Sequence, residues 1–147
     1  MATIIRNALW RALIYVGLVL FITLLPLGLT LAAGGAVQVH FEGTYAVLFD
    51  NSITFLPLAL IAAVSMDYFY SRTFVLTKEL EGILIVFFPF ILVTLMYGDF
   101  FMIHSLNAPG NELAGDIAIM QVWLACSSIV YATCVKYIMF ATEGQKI

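Results

Sequence analysis

Residues 65–82 read SMDYFYSRTFVLTKELEG, and they carry charge into a chain that is otherwise oily. Two of the 6 basic residues, Arg72 and Lys78, fall here, with three of the 9 acids, Asp67, Glu79 and Glu81. On one side lies the apolar run SITFLPLALIAAVSMDYFY (52–70). On the other lies ILIVFFPFILVTLMYG (83–98), which continues into DFFMIHSL. Read as a short polar connection between two membrane-crossing helices, the stretch fixes both the fold class and the sidedness of the chain.

Working outward, two further apolar runs appear: ALIYVGLVLFITLLPLGLTLAA (12–33) and IAIMQVWLACSSIVYATCVKYIMF (117–140). A helix needs about 20 residues to cross the hydrocarbon core of a bilayer, and each run meets or approaches that length. The chain is 147 residues long, 63% hydrophobic and 10% charged, with a mean hydropathy of +1.06. Soluble domains run near one quarter charged, so this chain lacks the polar surface to cover itself in water. The expected architecture is an all-α integral membrane protein, a single domain over 1–147 built as a bundle of four transmembrane helices. Their approximate bounds are 12–33, 52–70, 83–105 and 117–140, with loops at 34–51, 71–82 and 106–116. The first run follows Arg6 and Arg11 as a signal peptide would. Its apolar stretch exceeds the 7–15 residues of a signal core, so it reads as a retained helix.

The basic residues give the direction. All 6 lie in three places: Arg6 and Arg11 before the first run, Arg72 and Lys78 in the second connection, and Lys136 and Lys146 towards the C-terminus. Four crossings put these three segments on one face, and the positive-inside rule assigns that face, with both termini, to the cytoplasm. The opposite face then collects Glu42, Asp50, Asp99, Glu112 and Asp116 with the two histidines, His40 and His104. That acidity is what the orientation rule leaves behind. His40, Glu42 and His104 match no metal-ligand spacing, and no metal or other cofactor is expected. The stretch AVQVHFEGTYAVLFDN (36–51) alternates enough to suggest a surface hairpin, the alternative being a loop that leads into an early start of the second helix. In NAPGNELAGD (107–116), Asp116 is placed to cap the fourth helix.

Within the runs, Pro26, Pro57 and Pro89 predict kinks that neighbouring helices absorb. Ala59, Ala62, Ala63 and Ser65 in the second run and Ala125, Ser127, Ser128 and Ala132 in the fourth predict close helix approach. Ser127, Ser128 and Thr133 are expected to hydrogen-bond their own helix. Without a partner base at matching depth none of these hydroxyls reads as a nucleophile. Cys126 and Cys134, eight residues apart on one helix, cannot bond to each other and read as packing residues. Gln121 is expected to act as glue between helices, and Asp99 to face an aqueous vestibule. Asp67, a turn from the end of its run beside Tyr68 and Tyr70, reads as an interfacial ion pair with Arg72 in preference to a proton or ion site.

No nucleotide loop, metal cluster, catalytic triad or internal repeat is present in the sequence, so an enzyme is not expected. The small multidrug exporters carry a glutamate in their first helix, and the first run here holds no acid. Two classes remain. One is a contact protein, with Arg72, Phe74, Lys78, Glu79, Glu81 and Lys146 as a cytoplasmic docking surface for a soluble partner, multiplied by homo-oligomerisation. The other is an oligomeric pore, with Asp99, His104 and Asp116 at its outer mouth or sensing at the outer face.

The RNALWRALIYVGLVLF start (6–21), four helices, both ends inside and almost no soluble part resemble the membrane subunits of the Kiwa antiphage defence systems. The resemblance spans the chain and is one of architecture, so no residue roles carry over. It implies a homo-oligomeric protein of the bacterial inner membrane that senses phage-induced perturbation and holds a cytosolic DNA-binding partner of the KwaB type, with no direct contact of its own with nucleic acid. Four-helix colicin immunity proteins share the same outline.

Overall fold

Away from water a backbone must satisfy its own hydrogen bonds, and every long apolar segment of this chain does so as helix. The computed structural model describes residues 2–32, 51–71, 76–105 and 114–143, and among these no strand occurs. The elements are α1 (Ala2–Ala32), α2 (Asn51–Thr54), α3 (Leu56–Tyr70), α4 (Lys78–Glu81), a π-helical segment (Gly82–Phe87), α5 (Phe88–Ser105) and α6 (Ala114–Glu143). They form four rods, because α2 leads into α3 across Phe55 and α4 runs through the π segment into α5. Three spans are long and apolar enough to cross a membrane: Ile5–Leu29, Lys78–Met102 and Gly115–Thr142. Leu56–Tyr70 is apolar but shorter, at 15 residues.

The all-α membrane bundle read from the sequence is therefore the observed fold, with shifted boundaries. α1 begins ten residues before its apolar run, since nothing between Ala2 and Arg11 breaks a helix. Its 31 residues reach about 46 Å, more than a hydrocarbon core needs. The connection expected at 71–82 is shorter than thought, because Lys78–Glu81 is already helical. Asp116 does not cap α6, which starts at Ala114. It sits in the first turn, where a carboxylate still favours the helix dipole. The suggested hairpin in 36–51 lies outside the described residues, apart from Asn51, which is helical.

Successive rods alternate in direction, so the second and fourth, which pack together, run parallel. Arg11 near the start of α1 meets Phe140 near the end of α6, and Tyr15 of α1 reaches Ala63 in the second half of α3. Thr54 meets Gln121 where the second and fourth rods begin. One end of the bundle thus holds the beginning of α1, the end of α3, α4 and the end of α6; it is called the terminal end below. α6 is the hub, packing on α1, α3 and α5.

The core follows i, i+4 rows. Leu56, Leu60, Val64 and Tyr68 make the buried stripe of α3; Leu124, Ser128, Ala132 and Lys136 make a matching row on α6; Ala8, Ala12 and Val16 line α1. Small-residue approach occurs, but partly elsewhere than expected. Ser128 and Ala132 are fully buried, whereas in α3 the large residues face inward, Ala62 is exposed, and Ala59, Ala63 and Ser65 are half-buried. The close approach of α1 comes from Ala8 and Ala12. Cys126 and Cys134 are exposed and do not pack inside the bundle. Outward-facing Phe21, Ile22, Phe69, Phe90 and Trp123 leave a broad apolar surface, which only lipid or another apolar partner can cover favourably. Thr23, Thr94, Ser128, Thr133 and Thr142 each donate to a carbonyl three or four residues back, so their hydroxyls are satisfied without water.

Candidate functional site

Lys136 stands one turn beyond Ala132 on the buried row of α6, so its stem inherits that burial. The side chain is 1% exposed, and its ammonium forms an ion pair with the Asp67 carboxylate on α3. The same ammonium lies over the Tyr15 ring, 3.9 Å from its centre, and 4.8 Å from the centre of the Phe140 ring. Arg11 also covers Phe140, at 4.2 Å. Tyr15 in turn donates its hydroxyl to the Ala63 carbonyl at 3.0 Å. A cation buried this deeply is stabilised only by such a partner set: an anion to neutralise it, and ring faces to replace water. Together these contacts tie α1, α3 and α6 at the terminal end.

Asp67 was expected to pair with Arg72. Arg72 lies outside the described residues, and the partner seen for Asp67 is Lys136. The sequence signal was available, since Lys136 is the one charge inside the 117–140 run. Grouping it with Lys146 as a C-terminal cation concealed that. Beside this cluster Tyr68, buried at the end of α3, has the Leu76 backbone and the Glu81 carboxylate of α4 near its hydroxyl. Lys78 and Glu79 remain exposed on α4. Phe74 and Lys146, the other residues of the expected docking surface, lie outside the described residues.

A second polar cluster lies at the opposite end. Thr54, Asp99 and Gln121 are 4%, 1% and 3% exposed, and each comes from a different rod. The Gln121 amide donates to Thr54 Oγ1 at 2.7 Å and towards the Asp99 carboxylate. Gln121 is thus the expected glue, whereas Asp99 is enclosed by the bundle and does not open onto a vestibule. Among the described residues, Asp99 Oδ1 and Gln121 Oε1 have no hydrogen-bond partner. Asp116 is exposed, and the side chain of His104, in α5, is not described.

Between the clusters the third rod changes its hydrogen-bond register. Over Gly82–Phe87 it is π-helical, and the Phe88 N–H bonds the Ile83 carbonyl five residues back. In that register the Leu84 carbonyl would be served by residue 89, which is Pro89 and has no N–H. Tyr131 of α6 supplies the missing donor, its hydroxyl bonding the Leu84 oxygen at 2.7 Å. Its ring stacks with Phe88 at 6.3 Å between centres. Nothing in the sequence marks the π segment except the proline that follows it. On the outer surface, Leu84, Phe88, Trp123, Cys126, Val130 and Cys134 border an apolar groove of about 530 Å³.

No group of three or more His, Cys, Asp or Glu side chains placed to hold a metal ion occurs among the described residues. Compared with protein-family models, curated proteins and solved structures, the chain matches none of them.

Proposed function

We propose that this protein is a non-enzymatic, contact-acting component of the bacterial inner membrane, one that assembles with copies of itself and holds a cytosolic protein partner. The observation that carries this reading is the construction of the terminal end. There a buried ion pair, Asp67–Lys136, and two ring-covered cations brace the ends of α1, α3 and α6 against one another, with Glu81 of α4 close to Tyr68. Charge that could serve chemistry is used for bracing, and the exposed Lys78 and Glu79 are held on that braced end. The positive-inside rule supports turning this end to the cytoplasm. The resemblance to Kiwa membrane subunits supports antiphage defence as the setting, and the wide apolar exterior supports association through helix faces.

The test is affinity purification of the tagged protein from its host in mild detergent, with the mass of the assembly measured. A soluble protein in fixed stoichiometry, released by reversing Arg72 and Lys78 to glutamate, supports the reading. A homo-oligomer with nothing bound argues against it. The second reading, a channel, draws on the buried polar cluster Thr54–Asp99–Gln121 and on a proline in each of the first three rods. Ion flux through the purified protein in liposomes, altered by Asp99→Asn, would favour it.

A further inference from the structure

We infer that Asp99, Gln121 and Thr54 hold one small monovalent metal cation of the sodium type in the interior of the bundle. This stands independently of the contact reading, since it concerns the opposite end of the molecule.

The argument starts from two acceptors without donors. Asp99 Oδ1 and Gln121 Oε1 are both buried and have no partner among the described residues, on neighbouring side chains where three rods meet. Inside a membrane bundle no bulk water is at hand to relieve them, and each orphaned buried polar atom is costly. The Gln121 amide nitrogen is already committed to Thr54 and lies towards the Asp99 carboxylate. What the geometry calls for is a positive occupant facing oxygens.

The donor set then selects the kind of ion. All three side chains offer oxygen, from a carboxylate, an amide and a hydroxyl, which suits hard cations and not the thiol- and imidazole-seeking transition metals. One carboxylate supplies one negative charge. A monovalent ion neutralises it, whereas a divalent ion would leave an uncompensated positive charge in a low-dielectric interior.

A second observation points the same way. The second rod is broken at Phe55, immediately after Thr54, and Pro57 withholds the hydrogen bond that would otherwise reach the Ile53 carbonyl. Interrupted membrane helices expose backbone oxygens of this kind, and such breaks are where cations are coordinated in membrane bundles. Here the break, the carboxylate and the amide coincide.

The experiment uses the full chain in lipid nanodiscs, with thermal unfolding followed as sodium chloride replaces choline chloride at constant ionic strength. The expected result is a midpoint that rises with sodium and saturates. That rise disappears in Asp99→Asn and persists in Thr94→Val, which removes a lipid-facing hydroxyl of α5 outside the cluster. If Asp99→Asn does not fold, Thr54→Ala keeps the carboxylate and shifts the half-saturating sodium concentration upward at least several-fold. Equal stability in sodium and choline overturns the proposal, as does a sodium response that survives Asp99→Asn. A rise reproduced by acidification without sodium also overturns it and makes the occupant a proton.

Discussion

Lys136 and Asp67 are 69 residues apart in sequence and joined by an ion pair in which the cation is fully buried and the anion is 44% exposed. That asymmetry governs what each substitution does. Asp67→Ala removes the anion paired with a fully buried ammonium, and the Tyr15 and Phe140 ring faces do not replace that charge. Lys136→Met leaves a carboxylate that can still turn to water or headgroups, while the methionine fills the space of the lysine stem. Asp67→Ala is therefore expected to cost about 3 kcal/mol, near the lower end for breaking a buried pair, and Lys136→Met about 1 kcal/mol. Combining Lys136→Met with Asp67→Asn recovers part of the loss. Unfolding midpoints in nanodiscs check the order, and equal losses for the two single variants would contradict it.

Tyr131→Phe keeps the ring stack with Phe88 and removes only the hydroxyl that serves the Leu84 carbonyl. The expected loss is about 1 kcal/mol, the scale of an interhelical hydrogen bond in a membrane bundle. Pro89→Ala returns an N–H to the position from which the π register would serve that carbonyl. Tyr131→Phe should therefore cost less in the Pro89→Ala background than alone. A double-mutant cycle of unfolding free energies measures the difference, and strict additivity would refute the shared acceptor.

Trp10 and Trp123 both point outward from their helices, at 65% and 70% exposure. In vesicles of brominated lipid both indoles are expected to be quenched strongly relative to unbrominated vesicles. Trp10→Phe and Trp123→Phe separate the two contributions. Fluorescence of a Trp123-only variant that ignored the bromines would place α6 away from lipid, as in a subunit interface.

Reversing Arg72 and Lys78 to glutamate is expected to abolish co-purification of the soluble partner while membrane extraction and oligomer mass stay unchanged. Glu81→Gln acts differently, because it removes the charge beside Tyr68 where α4 meets the end of α3. Its expected effect is a partial loss of partner, restored at lower temperature. Quantified pull-downs at two temperatures tell the two behaviours apart.

The four rods were legible because length and apolarity alone announce a membrane helix. Which face each helix turns inward was not, because these helices are apolar nearly all the way round and carry no stripe to read. So the alanines of α3 were read as points of close approach while Leu60 and Val64 occupy the interior, and Ala8 lies in a segment read as preceding the first helix. Gln121 was legible as glue because an amide in lipid has few other uses. Its neighbour Asp99 was not, since proximity to the end of a span suggested water where the structure has a helix junction. The pairing of Asp67 with Lys136 depends on which rods are adjacent, and spacing along one chain does not encode that.

The position of Lys136 has a consequence for how the bundle is made. The chain is synthesised from its N-terminus, so α3 enters the membrane with Asp67 before α6 exists. Until then that carboxylate is the exposed half of an unfinished joint. When α6 follows, its lysine meets Asp67 and is buried against it. A single side chain thus works as a latch between segments made at different times. Arrival of α6 is the event that closes this joint.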